Sequence, residues 1–205
     1  MQYIKLKESL KDFTVFSLRD IRSIDSNFHR RRLNEWQDKK YIKKLIRGYY
    51  IFTDLQISEN ALFEIANKIY SPSYISFEMA LSYYHLIPES VYCITSVSTR
   101  KTYRFQTSIG QFSYRTVKPD LFFGYNLASY DNRCFKIASA EKAILDYFYI
   151  NPNIKNETDF ISLRINRDSF IEQIDIVRLN EFLERFAQKT LTKRINSFLE
   201  FIKNA

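Results

Sequence analysis

Eight basic residues crowd positions 28–47: Arg30, Arg31, Arg32, Lys39, Lys40, Lys43, Lys44 and Arg47, against only Glu35 and Asp38. Clustering of one sign is the footprint of a polyanion partner. Arg30, Arg31, Asn34 and Gln37 recur at i, i+3 and i+4, so a helix that buries Leu33 and Trp36 turns them outward together. These are base-reading types: arginine forks onto guanine, and asparagine or glutamine onto adenine. Lys39, Lys40, Lys43, Lys44 and Arg47 suit phosphate contacts, which position a protein on a duplex without specifying sequence. A solvated basic helix serving only solubility is the bland alternative. The agreement of charge, element order and outward polar types favours double-stranded DNA.

Catalytic chemistry is poorly supplied. His29 and His85 are the only histidines, and neither has a cysteine or carboxylate at metal-ligand spacing. Pro119-Asp120 with Glu141-Lys142 echoes a nuclease carboxylate–lysine signature. Such sites place an acid and a lysine one residue apart on a strand, aimed at one metal. Glu141 and Lys142 are adjacent and open a predicted helix, so they should diverge. No metal, cofactor or catalytic residue is expected. A second basic group, Arg100, Lys101, Arg104, Arg115 and Lys118, straddles a predicted hairpin. It suits a protein or nucleic-acid partner, or is simply the wet side of a sheet.

The elements that must position these residues can be read from caps and periodicity. Ser17 with Asp20 makes a capping box for a helix over 18–24, with Leu18, Ile21 and Ile24 inward. Asp25-Ser26-Asn27 is a tight corner, followed by a helix from about 27 to 37. Strands follow at Tyr41–Leu45 and Tyr49–Phe52, joined through Arg47-Gly48. Helix, tight turn, helix and hairpin is the order of a winged helix-turn-helix. Beyond residue 56 the periodicity predicts helices carrying Leu62, Ile65, Ala66 and Ile69, and then Phe77, Ala80, Leu81 and Tyr84. Ser58 and Ser76 stand where caps belong. Strands are expected at Val91–Val97, Tyr103–Thr107, Gln111–Val117, Leu121–Tyr125 and Cys134–Ala138. Ser139 should cap a helix over 140–150, and the last forty residues read as helices, with Leu191, Ile195, Phe198, Leu199 and Ile202 on one face.

Composition sets the outer bounds. The chain has 205 residues, 45% hydrophobic and 17% aromatic, enough to build packed cores. With 3 Gly and 4 Pro it is poor material for a Gly-rich nucleotide fold. Of the net charge of +8, residues 1–56 carry +6. The amino terminus is charged rather than signal-like and no apolar run approaches membrane length, which reads as cytoplasmic with no membrane partner. Cys93 and Cys134 lie in apolar stretches and are expected to be buried, unreactive thiols. The expected fold class is α+β. It comprises a winged helix-turn-helix over 1–56 and, over 57–205, a mixed α/β domain with antiparallel strands and C-terminal helices.

From Leu45 to Ile150 the chain resembles the AbiEi antitoxins of type IV toxin–antitoxin, or abortive-infection, systems. The resemblance is carried by LIRGYYIF at 45–52, ANKIYSPSYISFEMALSYYHLIPE at 66–89, ITSVSTRKTYRFQT at 94–107, GQFSYRTVKPDLFFGY at 110–125 and ASAEKAILDYFY at 138–149. It implies a winged helix-turn-helix that represses its own operon at inverted repeats in promoter DNA. It further implies a C-terminal domain that counters a nucleotidyltransferase-like toxin, a functional partner that need not form a stable complex. Two other classes stay open: a stand-alone regulator whose C-terminal domain senses a ligand or partner, and a nucleic-acid enzyme.

Overall fold

The computed structural model describes residues 2–89 and 91–204 of an α+β protein. The amino-terminal part runs α1 (Tyr3–Ser9), β1 (Phe16–Ser17), α2 (Leu18–Ile24), α3 (Arg31–Asp38), β2 (Ile42–Ile46) and β3 (Tyr49–Phe52). The three strands form an antiparallel sheet in the order β1-β3-β2, with Phe16 opposite Tyr50 and Lys44 opposite Tyr50 on the other side. Ser17 closes the expected capping box: its Oγ accepts from the Asp20 N–H (3.3 Å) and its own N–H donates to the Asp20 carboxylate (2.7 Å). Leu6, Leu10, Phe16, Ile21, Phe28, Leu33, Trp36, Ile42, Tyr50 and Phe52 fill one hydrophobic core.

Two details differ from expectation here. Ile24 is 39% exposed, because α2 ends at it and Asp25 takes up extended backbone. The next helix opens at Arg31, not 27. Asn27 N–H is held by the Asp25 carboxylate (3.1 Å) and Phe28 N–H by the Asp25 carbonyl (3.0 Å), so the corner consumes these residues. Phe28, buried at the corner, anchors it against Trp36 at a 5.3 Å ring separation.

The rest of the chain runs α4 (Glu59–Ile69), β4 (Ser73–Ile75), α5 (Glu78–Tyr83), β5 (Cys93–Ser98), β6 (Tyr103–Thr107), β7 (Gly110–Thr116), a 3-10 turn (Pro119–Leu121), β8 (Tyr125–Tyr130) and β9 (Arg133–Ala138). Then come α6 (Ala140–Ile150), α7 (Glu157–Ser162), α8 (Arg167–Gln173), α9 (Ile176–Phe186) and α10 (Lys189–Asn204). The six-stranded sheet has the order β6-β7-β5-β4-β9-β8. It is mixed rather than antiparallel throughout, since β5 pairs parallel with β7 and β4 parallel with β9. The parallel pair arises because the β6–β7 hairpin folds back so that its second strand, not its first, meets β5.

Ser58 and Ser139 cap α4 and α6 as expected, accepting from Ala61 N–H and Lys142 N–H. Ser76 does not cap α5; its hydroxyl is taken by Asp146 at 2.8 Å, and the helix opens behind Phe77 at φ +60°. Leu121–Tyr125 is not a strand. Pro119 starts a 3-10 turn there, and the strand begins at Tyr125 and pairs with β9 instead. The two thiols also depart from expectation: Cys93 is half-buried and Cys134 is exposed. Both lie on strands, where alternate side chains face away from the core.

The larger core fills the space between the sheet and helices α4, α6, α9 and α10, with Phe63, Tyr74, Phe112, Phe148 and Phe198 among its fully buried side chains. Val15, Leu45 and Ile51 of the amino-terminal part pack into this same core. Arg133 adds polar ties, donating to the backbone carbonyls of Asp12 (3.0 Å) and Lys11 (3.3 Å). No described helix is long and apolar enough to cross a membrane.

Candidate nucleic-acid interface

Helix α3 is set in place by its buried face. Leu33 and Trp36 are 1% and 4% exposed, and Tyr3 of α1 meets the Trp36 ring edge-on at 5.8 Å. The helix closes with a Schellman pair: Tyr41 N–H donates to the Trp36 carbonyl and Lys40 N–H to the Gln37 carbonyl, each at 2.9 Å. Lys40 holds the left-handed conformation (φ +57°) that the pair requires. Thr53 Oγ1 then donates to the Lys40 carbonyl at 2.7 Å, which ties the end of α3 to the end of the β2–β3 hairpin. Helix and hairpin are thus tied together at their ends.

The opposite face of the pair is polar and cationic. Arg30, immediately before α3, and Arg31 and Asn34 on it are exposed. Lys39, Lys40, Lys43, Lys44 and Arg47 are exposed too. On β2, Ile42 and Leu45 are buried while Lys43 and Lys44 both face solvent. A register shift between Lys44 and Ile46 breaks the strict alternation and allows this. Arg30, Arg31, Lys39, Lys40, Lys43, Lys44 and Arg47 form no ion pair with any described residue, so their charge is open to an outside partner. Gln37 is placed differently from Asn34. It is half-buried, and its side-chain amide donates back to the Leu33 carbonyl at 3.0 Å. Arg32 is half-buried, with its guanidinium 5.7 Å from the Trp36 ring centre.

The second basic group is partly spent within the fold. Arg100 lies over the Tyr70 ring at 4.3 Å and donates to the Ser71 carbonyl. Arg104 donates to the Gln111 side chain at 3.2 Å. Lys101, Arg115 and Lys118 are exposed.

Glu141 and Lys142 diverge. Glu141 accepts from Asp175 N–H at 3.1 Å and lies 3.9 Å from Arg178. Lys142 turns into the core, where its ammonium pairs with the Asp146 carboxylate and donates to the Tyr74 hydroxyl at 2.9 Å. Tyr74 and Ser76 in turn donate to Asp146 at 3.0 and 2.8 Å, and the rings of Phe123 and Phe186 close over the ammonium at 5.0 Å each. Burial pushes the Asp146 carboxyl up and the Lys142 amine down, each opposed by its partner's charge. This buried network escaped the reading of the sequence, although a Lys and an Asp four apart on an otherwise apolar helix were its visible sign. Asp120 is exposed on the 3-10 turn, and among the described residues no group of three or more His, Cys, Asp or Glu is gathered to hold a metal.

Compared with known proteins, the chain matches no family model and no curated protein.

Proposed function

We propose that residues 1–56 are a winged helix-turn-helix, with α3 as the recognition helix and the β2–β3 hairpin as the wing, and that the chain is a cytoplasmic repressor of its own promoter. The observation that carries this is the pairing of an exposed Arg30, Arg31 and Asn34 surface with a hairpin whose Lys43, Lys44 and Arg47 have no acidic partner among the described residues. Helix, strand, helix, helix, strand, strand is the element order that supports it. In such a module the second helix of the pair enters the major groove, and nearby cations neutralise phosphates. The resemblance over Leu45–Ile150 extends the proposal. The chain is a non-enzymatic antitoxin of the AbiEi kind, without metal or cofactor, and it counters a nucleotidyltransferase-like toxin.

A mobility-shift titration with the chain's own upstream duplex tests the DNA reading. We expect retardation that weakens steeply with salt, through release of counterions; absence of any retardation at low salt refutes it. Co-expression with a nucleotidyltransferase-like gene adjacent to its own tests the antitoxin reading, through restored growth. A second reading, a stand-alone regulator with a ligand-sensing C-terminal part, draws support from a partly open cleft of about 540 Å³ beside the larger core. Promoter binding without any rescue of growth would favour it.

A further inference from the structure

The cavity of about 540 Å³ lies between α5, α6, the end of α7, α10 and the segment that carries Ile87, Glu89, Val91, Tyr92 and Cys93. The cleft is partly open to solvent, and its volume is in the range of small-molecule sites. Its walls are mainly apolar, with Leu81, Ile144, Phe148, Leu163 and Phe198 among them. Its charged lining is acidic: Glu78 and Glu89 line it, and among the described residues no lysine, arginine or histidine does.

The two carboxylates differ. Glu89 is paired with Arg164 at 3.0 Å. Glu78, half-buried in the first turn of α5, has no hydrogen bond or ion pair with any described residue. Arg104, which reaches the Cys93 thiol on this side, is held by Gln111 at 3.2 Å. Tyr92, Cys93, Tyr147 and Ser162 add neutral polar groups to the lining; of these Tyr147 stands beside the two carboxylates. Burial raises its phenol, and the charges of Glu78 and Glu89 raise it further, so it stays neutral and offers a hydroxyl and a ring face to a cation.

From this arrangement we infer that the cavity binds a small organic cation with an apolar body, its ammonium or guanidinium on Glu78 and its body among Leu81, Ile144, Phe148 and Leu163. An anion would meet two carboxylates, and a neutral apolar molecule would leave Glu78 partly desolvated and unpaired. The site is independent of the DNA-binding surface, so its failure leaves the promoter reading standing.

Three probes that share an indole body and differ in side-chain charge test it on the full chain by calorimetric titration: tryptamine, 3-ethylindole and indole-3-propionate. A charge-assisted contact should make tryptamine bind roughly tenfold tighter than 3-ethylindole, with the carboxylate weakest. Glu78→Gln, nearly isosteric, should bring tryptamine down to the affinity of 3-ethylindole while the unfolding midpoint holds. Leu163→Trp, which fills the cavity, should abolish binding of all three. Equal affinities or no binding at millimolar probe would overturn the inference, as would a tryptamine preference that survives Glu78→Gln. Binding that survives Leu163→Trp places the probe elsewhere and overturns it as well.

Discussion

Lys142 and Asp146, one helical turn apart on α6, form an ion pair from which solvent is wholly excluded. A buried pair of this kind adds little net stability, because desolvation offsets the attraction, yet losing one partner strands the other. Asp146→Asn should therefore cost about 3–5 kcal/mol in denaturant unfolding. Replacing the whole network at once (Lys142→Met, Asp146→Leu, Tyr74→Phe and Ser76→Ala), so that neither hydroxyl that donates to Asp146 is left unpaired, should cost less. The pH dependence of Asp146→Asn has a definite sign. The lone amine, its carboxylate gone, has a folded value depressed by burial below the ordinary 10.5. Between that depressed value and 10.5 the unfolded chain holds more protons, so stability must rise with pH across this window. Unfolding at pH 6 and pH 9.5 checks it. A variant equally destabilised at both, relative to the parent, would show that the lysine is not the stranded group.

The two thiols should separate kinetically. Cys134 is exposed on β9, while Cys93 is half-buried on β5 with its thiol raised by burial. Titration of the native protein with a disulfide reagent at pH 8 should show one fast thiol, since the thiolate is the nucleophile and must be reachable. Cys134→Ser should remove the fast phase. If Cys93→Ser removes it instead, the exposure of the two strands has been misassigned.

How much of this was legible beforehand depended on whether the signal was local. The Ser17–Asp20 box, the Ser58 and Ser139 caps and the spacing of Leu33 with Trp36 all act within one or two turns, and each stands where the sequence puts it. What was hidden is set by distant chain. Ser76 has the composition of a cap but serves Asp146, seventy residues away. The parallel pairing of β5 with β7 leaves no local trace, because alternation is the same in either direction. Gln37 shows the limit within the candidate site. Its position on the helix was readable, but the turn of its amide back to Leu33 was not.

The wing should govern the salt dependence. Lys43, Lys44 and Arg47 are exposed on the hairpin, and each phosphate contact contributes about one unit to the slope of log K against log salt. Replacing all three by alanine should lower the slope by about three while binding weakens alike on every duplex. An unchanged slope across a tenfold salt range would remove the hairpin from the interface.

The central claim, that α3 reads bases while the hairpin holds phosphates, is tested most directly by one pair of variants. Asn34 is exposed opposite the buried Leu33 and Trp36, and Lys44 is exposed on β2. Loss of a bidentate base contact costs about 1–3 kcal/mol and relaxes preference at one position. Fluorescence anisotropy with the promoter duplex and a scrambled duplex, at two salt concentrations, gives the ratio of the two affinities. Asn34→Ala should shrink that ratio by roughly tenfold, while Lys44→Ala should weaken both duplexes and leave the ratio nearly intact. If Asn34→Ala weakens both duplexes equally and Lys44→Ala abolishes the preference, then the roles of helix and hairpin are the reverse of those assigned.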